Sequence, residues 1–317
     1  MDRERAINRL SGCYVTVPTM FHDKDLEVNL EAIRQHVRFL IEGGLNETTG
    51  VILAAGAAGE FPMMSIDERL QVTEAIIEEA DGRIPVVMGA QTASTRELIE
   101  LVRAARRLGA EYVQVSPPYY YIHTEEDFYE YVVAATEAAD IGIIIYNTFW
   151  TTRNVSLKMV ERFCELPNLV GLKWAFPTAD CMELEQLVSR FAEQFCVIDN
   201  QLRFVTSHML GARGMEVHIC NYWPQWGVRI LNLLKEHKYT EAQKELVHVA
   251  MPFYALWQEM EQCTGGDGYL DKLCMELVGL PSSPSRPPTR DIRDKFREKA
   301  RRMLIESGVP GVINVTA

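Results

Sequence analysis

Short, nearly continuous apolar runs alternate with longer stretches of helical period over the first two-thirds of the chain. The runs are residues 13–17, 50–54, 85–89, 112–116, 142–146, 170–173, 196–199 and 214–220. Consecutive rather than alternate positions are apolar, the pattern of strands buried on both faces. The intervening segments begin with helix-start signals. Ser65-Ile66-Asp67-Glu68 and Ser94-Thr95-Arg96-Glu97 read as capping boxes, and Thr124-Glu125-Glu126-Asp127 as a looser version. Leu98, Leu101, Val102, Ala105 and Leu108 form one apolar stripe with Arg103, Arg106 and Arg107 outside it, and Gly109 stops the helix. Eight such βα units predict an α/β fold closed as a (β/α)₈ TIM barrel, because parallel strands need right-handed helical crossovers. An open doubly wound sheet is the alternative, but no Gly-x-Gly-x-x-Gly follows the first strand.

After about residue 223 the strand signal ends. Helical stretches follow at 226–237, 240–262 and 268–278, then a Pro/Ser-rich connector at 281–288 and a charged helix at 289–306. The predicted organisation is a barrel domain over 1–223 and a C-terminal helical extension over 224–317.

Length and charge narrow the function. At 317 residues the chain accommodates one large barrel plus an appendage. Its 44 acidic against 32 basic residues give a formal charge of −12, which argues against nucleic acid as a partner, because neutralising phosphates needs clustered Lys and Arg. No apolar run reaches the roughly 18 residues of a membrane span, and Met1-Asp2-Arg3-Glu4-Arg5 leads into no signal-like stretch, so a cytoplasmic protein is expected. Seven scattered Cys with no Cys-x-x-Cys spacing read as reduced core residues. His218 and Cys220 are two potential ligands on one strand, too few for a metal site; neither metal nor cofactor is expected.

Chemistry concentrates at strand ends, which in a barrel surround the active-site mouth. Of nine Lys, only Lys173 ends a predicted strand, after Leu169-Val170-Gly171-Leu172. Apolar surroundings strip hydration from an ammonium, lower its pKa and make the amine nucleophilic. The plainer alternative is a Lys whose stem covers apolar surface while its head reaches water. Tyr146 ends the preceding strand and can shuttle protons to a carbinolamine. The turn Gly56-Ala57-Ala58-Gly59-Glu60 offers backbone N–H groups to a carboxylate, and Ser116-Pro117-Pro118-Tyr119-Tyr120-Tyr121 places aromatics on a rigid turn.

The glycine turn plus Glu after strand two, Pro-Tyr-Tyr after strand four, Tyr-Asn ending strand five and Gly-Leu-Lys ending strand six, in that order along the chain, resemble the dihydrodipicolinate synthase / N-acetylneuraminate lyase family of class I, Schiff-base pyruvate aldolases. The resemblance covers nearly the whole chain. It implies a lyase in which Lys173 forms an imine with pyruvate or a related 2-oxo acid, Tyr146 is the acid/base phenol, and Gly56, Ala57 and Ala58 bind the substrate carboxylate. Tyr120 resembles the tyrosine contributed by a neighbouring subunit, in a homotetramer built as a dimer of dimers. The small-molecule partners implied are a 2-oxo acid and an aldehyde.

Departures set further expectations. Ala57 and Ala58 stand where the family carries Thr or Ser, one of which links two tyrosines in a proton relay. Thr151 stands where the synthases place an Arg for the second substrate's carboxylate, with Arg153 two residues on, and Trp174 replaces an acidic residue. Trp150, Thr151 and Trp174 are therefore expected to line a site for a different, more apolar aldehyde, within a mouth of Tyr119, Tyr120, Phe149, Phe176, Tyr222, Trp223 and Trp226. On this reading the chain is not the lysine-pathway synthase. The alternatives are a 2-oxo-3-deoxy sugar acid dehydratase using the same imine, suggested by Gly59-Glu60-Phe61 and Pro167–Gly171, and a non-catalytic 2-oxo-acid-binding member.

Overall fold

Strands whose residues are apolar on both faces close on themselves, with one face inward and the other under helices. The computed structural model describes residues 1–148, 153–175 and 182–313. In it β1 (Gly12–Thr16), β2 (Gly50–Ala54), β3 (Val86–Gly89), β4 (Tyr112–Val115), β5 (Gly142–Asn147), β6 (Leu169–Trp174), β7 (Cys196–Asp199) and β8 (Gly214–Glu216) form a closed parallel barrel in chain order. This is the expected TIM barrel with C-terminal helices.

The largest difference from the sequence reading is β8. It ends at Glu216, and His218–Asn221 turns into a 3₁₀ helix. Polar side chains explain the early stop. His218 Nδ1 lies 3.1 Å from Asp271 Oδ2, and Asn221 donates to Asp271 Oδ1 (2.9 Å) and to the Thr16 carbonyl (3.1 Å). His218 and Cys220 therefore do not share a strand face.

Helix starts follow local chemistry with one exchange. Ser65 with Glu68 and Thr124 with Asp127 both form complete capping boxes. Ser94 accepts only the Glu97 N–H, because the Glu97 carboxylate is taken by the Thr92 hydroxyl. The stretch read as one helix over 240–262 runs as Tyr239–Glu245, a π turn at Leu246–Ala250 and Met251–Glu261. Pro252 has no N–H for the carbonyl four residues back and would crowd it, which the widened turn relieves. The last helix begins at Arg293 rather than 289, since Thr264 Oγ1 accepts the Arg290 N–H and Asp291 engages Arg293.

The chain packs as two compact units. One comprises Met1–Tyr14, Asn46–Ile52 and Ile84–Glu216; the other Val15–Leu45, Leu53–Arg83 and Val217–Ala317. In the first, Val113, Ile143, Ile145, Leu172 and Val197 are fully buried. In the second, Ile33, Val72, Phe253 and Leu273 are. Among the described residues, no helix is long and apolar enough to cross a membrane.

Candidate active site

Within the first unit, a slip in register aims the lysine. Ile143 pairs with Leu169 but Ile144 pairs with Gly171, so β6 carries one extra residue there. Past this bulge Tyr146 stands opposite Lys173. Without it Tyr146 would face Leu172, and Lys173 would point to the other face, because side chains alternate along a strand. Gly171 is what lets the bulge close: a Cβ there would lie 2.5 Å from Leu10 Cδ2 and 3.2 Å from Ile144 Cγ1.

Lys173 is buried, with its side chain 5% exposed, and Nζ lies 2.6 Å from Oε2 of Glu216, 2% exposed. The ammonium also sits 4.6 Å from the Tyr146 ring centroid and 4.9 Å from that of Tyr14. Glu216 is the register partner of Tyr14 across β8 and β1, so one carboxylate and two phenol rings surround one amine. The Tyr14 hydroxyl donates to Gln114 Oε1 at 2.8 Å, and burial, reinforced by the Glu216 charge, holds that phenol well above its ordinary range. Asn200 Nδ2 lies 3.5 Å from the Tyr146 hydroxyl. Neither Glu216 nor Tyr14 is singled out by the sequence reading, although an acidic residue inside Gly214-Met215-Glu216-Val217 is the same kind of signal that marks Lys173.

Around these groups the strand ends are firmly braced. Asn147 donates to Asn154 Oδ1 (2.6 Å) and accepts the Val155 N–H (3.0 Å). Arg153 donates to the His123 carbonyl. Asp199 is fully buried, accepts from Ser207 Oγ at 2.6 Å, and burial raises its carboxyl to about 6.

Several expected lining residues are placed differently. Trp174 is fully buried and its indole N–H donates to Glu183 at 3.0 Å. It follows Lys173 directly, so it occupies the opposite face of β6, and an aromatic lining beside the amine is not formed by it. In the second unit Tyr222 packs on Phe253 and Trp226 donates to Glu245, both buried. Phe149, Trp150, Thr151 and Phe176 lie outside the described residues. Tyr120 stands 82% exposed at φ 86°, edge-on to Tyr121, with Tyr119, Tyr121 and Ile122 exposed beside it.

The glycine turn belongs to the second unit. Gly56 is required by crowding, since a Cβ would meet Leu53 Cδ2 at 2.4 Å and Thr16 Cγ2 at 2.8 Å. The Thr19 hydroxyl donates to the Gly59 carbonyl (2.7 Å), and Glu60 N–H closes on the Ala57 carbonyl (2.8 Å). Glu60 takes a left-handed conformation at φ 56°, and its buried carboxylate receives Lys272 Nζ and the Arg286 N–H (3.0 Å). Burial lowers the Lys272 pKa and the Glu60 charge opposes that shift. Gly268 approaches so closely that a Cβ would lie 2.4 Å from the Ala58 carbonyl oxygen. Among the described residues, no three His, Cys, Asp or Glu side chains gather as metal ligands.

A closed eight-stranded barrel with a buried amine at the end of its sixth strand has the build of a class I, imine-forming lyase. A profile of the Dihydrodipicolinate synthetase family matches residues 9–307. The 4-hydroxy-tetrahydrodipicolinate synthase of Laribacter hongkongensis is 36% identical over 218 residues, 68% of this chain and 72% of that protein. That of Thermotoga petrophila is 29% identical over 293 residues, 90% and 95% of the two chains. The crystal structure of the chloride-inhibited dihydrodipicolinate synthase from Acinetobacter baumannii, complexed with pyruvate, matches with a TM-score of 0.84 at 27% identity, over 95% of this chain and 99% of that one. The chain belongs to the dihydrodipicolinate synthetase family, and it is an enzyme of the class I, Schiff-base aldolase/lyase kind.

The relatives correct one expectation. The chain was to lie outside lysine-pathway synthesis, with an apolar aldehyde in place of the synthase's partner. Yet the curated relatives named here are 4-hydroxy-tetrahydrodipicolinate synthases. The exclusion rested on a few departures, Ala57, Ala58, Thr151 and Trp174, and a likeness extending over residues 9–307 outweighs them. The enzyme class of the family also sets aside the non-catalytic alternative.

Proposed function

We propose that this enzyme joins pyruvate to an aldehyde through an imine on Lys173, in the reaction for which its relatives are named, 4-hydroxy-tetrahydrodipicolinate synthesis. The observation that carries this is the buried Lys173 amine, 2.6 Å from Glu216 and against the face of Tyr146. Tyr146 serves as acid/base, and the Ala57 and Ala58 N–H groups take the pyruvate carboxylate. Tyr120, exposed with its aromatic neighbours, packs against a second copy in a homotetramer of the cytoplasm. The division into a catalytic barrel over 1–223 and a helical region over 224–317 is part of the same proposal.

The test is borohydride reduction with pyruvate followed by intact-mass and peptide analysis, alongside a coupled assay with aspartate semialdehyde. The expected result is an adduct on Lys173 that Lys173→Ala removes together with turnover. An adduct on another lysine overturns the mechanism. An adduct on Lys173 without condensation overturns only the choice of aldehyde.

A further inference from the structure

We propose that Glu216 is a catalytic residue that carries the protons of imine formation at Lys173. This rests on the reading of Lys173 as the imine-forming lysine and assigns the proton carrier within that site.

The chemistry of imine formation needs such a group. An ammonium cannot attack a carbonyl, and the carbinolamine hydroxyl cannot leave until it is protonated. Tyr14 is already committed, its hydroxyl donating to Gln114. Glu216 touches the reacting nitrogen itself at 2.6 Å.

The steps balance with this one carboxylate. Lys173 ammonium passes a proton to Glu216, leaving a neutral amine and a carboxylic acid. The two groups are 2.6 Å apart, so the proton crosses a single contact and no bulk base is required. The amine lone pair forms the C–N bond to the 2-oxo carbon, and the N–H proton moves to the carbonyl oxygen to give the carbinolamine. Glu216 then protonates that hydroxyl, the C–O bond breaks, and water leaves. The products are a protonated imine, one water and Glu216 restored as carboxylate, now paired with the iminium cation. The site begins and ends with one positive charge beside one negative charge. Among the described residues, Lys173 from β6 and Tyr14 from β1 are titratable groups that face the carboxylate.

The test reads the rate of imine formation in a single turnover with pyruvate, quenched by borohydride and followed by intact mass. Glu216→Gln keeps the shape and removes the proton site, so the rate should fall by about 10²–10⁴-fold, the usual share of general acid–base catalysis. Glu216→Ala should be equally slow and should be accelerated by added formate, which a purely structural role for Glu216 does not predict. Glu216→Asp, which retains a charge against Lys173, serves if the neutral variants do not fold, and should give an intermediate rate. A wild-type imine rate in folded Glu216→Gln, or in Glu216→Asp where Gln does not fold, overturns the inference while leaving Lys173 in its role. Absence of any Lys173 adduct in the wild-type protein overturns both.

Discussion

At Tyr146 a single oxygen separates the observed packing against Lys173 from the proposed movement of protons. Tyr146→Phe retains the ring 4.6 Å from the amine and deletes only the hydroxyl that Asn200 approaches. The expected outcome is an intact fold, imine formation that still occurs, and kcat lower by about 10²–10⁴-fold. Unchanged kcat in steady-state assays would assign the protons of the later steps elsewhere. Lys173 and Tyr146 are legible in the sequence because each is the lone polar group closing an apolar run. The same rule passes over Glu216, since the apolar run continues to Cys220 and makes the acid look internal. What ends β8 early is the pull of Asp271 on His218 and Asn221, and that partner lies 53 and 50 residues downstream. A hydrogen bond across such a separation leaves no periodic trace.

Elements show the same division between local and distant causes. The strands follow from apolar runs and the caps from adjacent residues, so both read directly. The β6 bulge does not, because an extra residue in a strand is defined only against its neighbour. Gly171→Ala tests what the bulge does. Its Cβ would meet Leu10 Cδ2 at 2.5 Å in a packed interior, an overpacking that costs about 1–3 kcal/mol. The expected outcome is a lower thermal midpoint together with slower pyruvate imine formation, as Lys173 is pushed off Tyr146. Lost stability with an unaltered imine rate would show that the bulge aims nothing. A second element-level test is Gly268→Ala, strained at φ 79° and crowding the Ala58 carbonyl. It should raise the KM for pyruvate while leaving the borohydride adduct on Lys173; an unaltered KM would argue against a carboxylate held at Ala57 and Ala58.

Across the whole molecule, two buried titrating groups act in opposite senses. Burial lowers His36 to about 4, so between that pH and about 6.5 the unfolded chain binds the extra proton and stability rises with pH. Burial raises Asp199 to about 6, so between about 4 and that pH the folded chain binds the extra proton and stability falls as pH rises. Each slope approaches about 1.4 kcal/mol per pH unit, and from pH 5 to 6 they largely cancel. Asp199→Asn removes one side of this balance. Thermal midpoints of that variant should climb from pH 5 to 6 where the wild-type protein is nearly level. A level profile in both would show that Asp199 titrates in its ordinary range.

The anchoring of the glycine turn also fixes when that turn becomes complete during synthesis of the chain. Glu60 waits for Lys272, 212 residues further on, and for the Arg286 N–H, 226 residues further on. All eight strands have left the ribosome well before either partner is made. At about 5–20 residues per second, a nascent chain holding a full set of strands spends several seconds with the buried carboxylate of Glu60 unpaired. An arrested chain ending shortly after β8 should therefore leave the glycine turn open to limited proteolysis that the full-length protein resists. The turn closes with the tail.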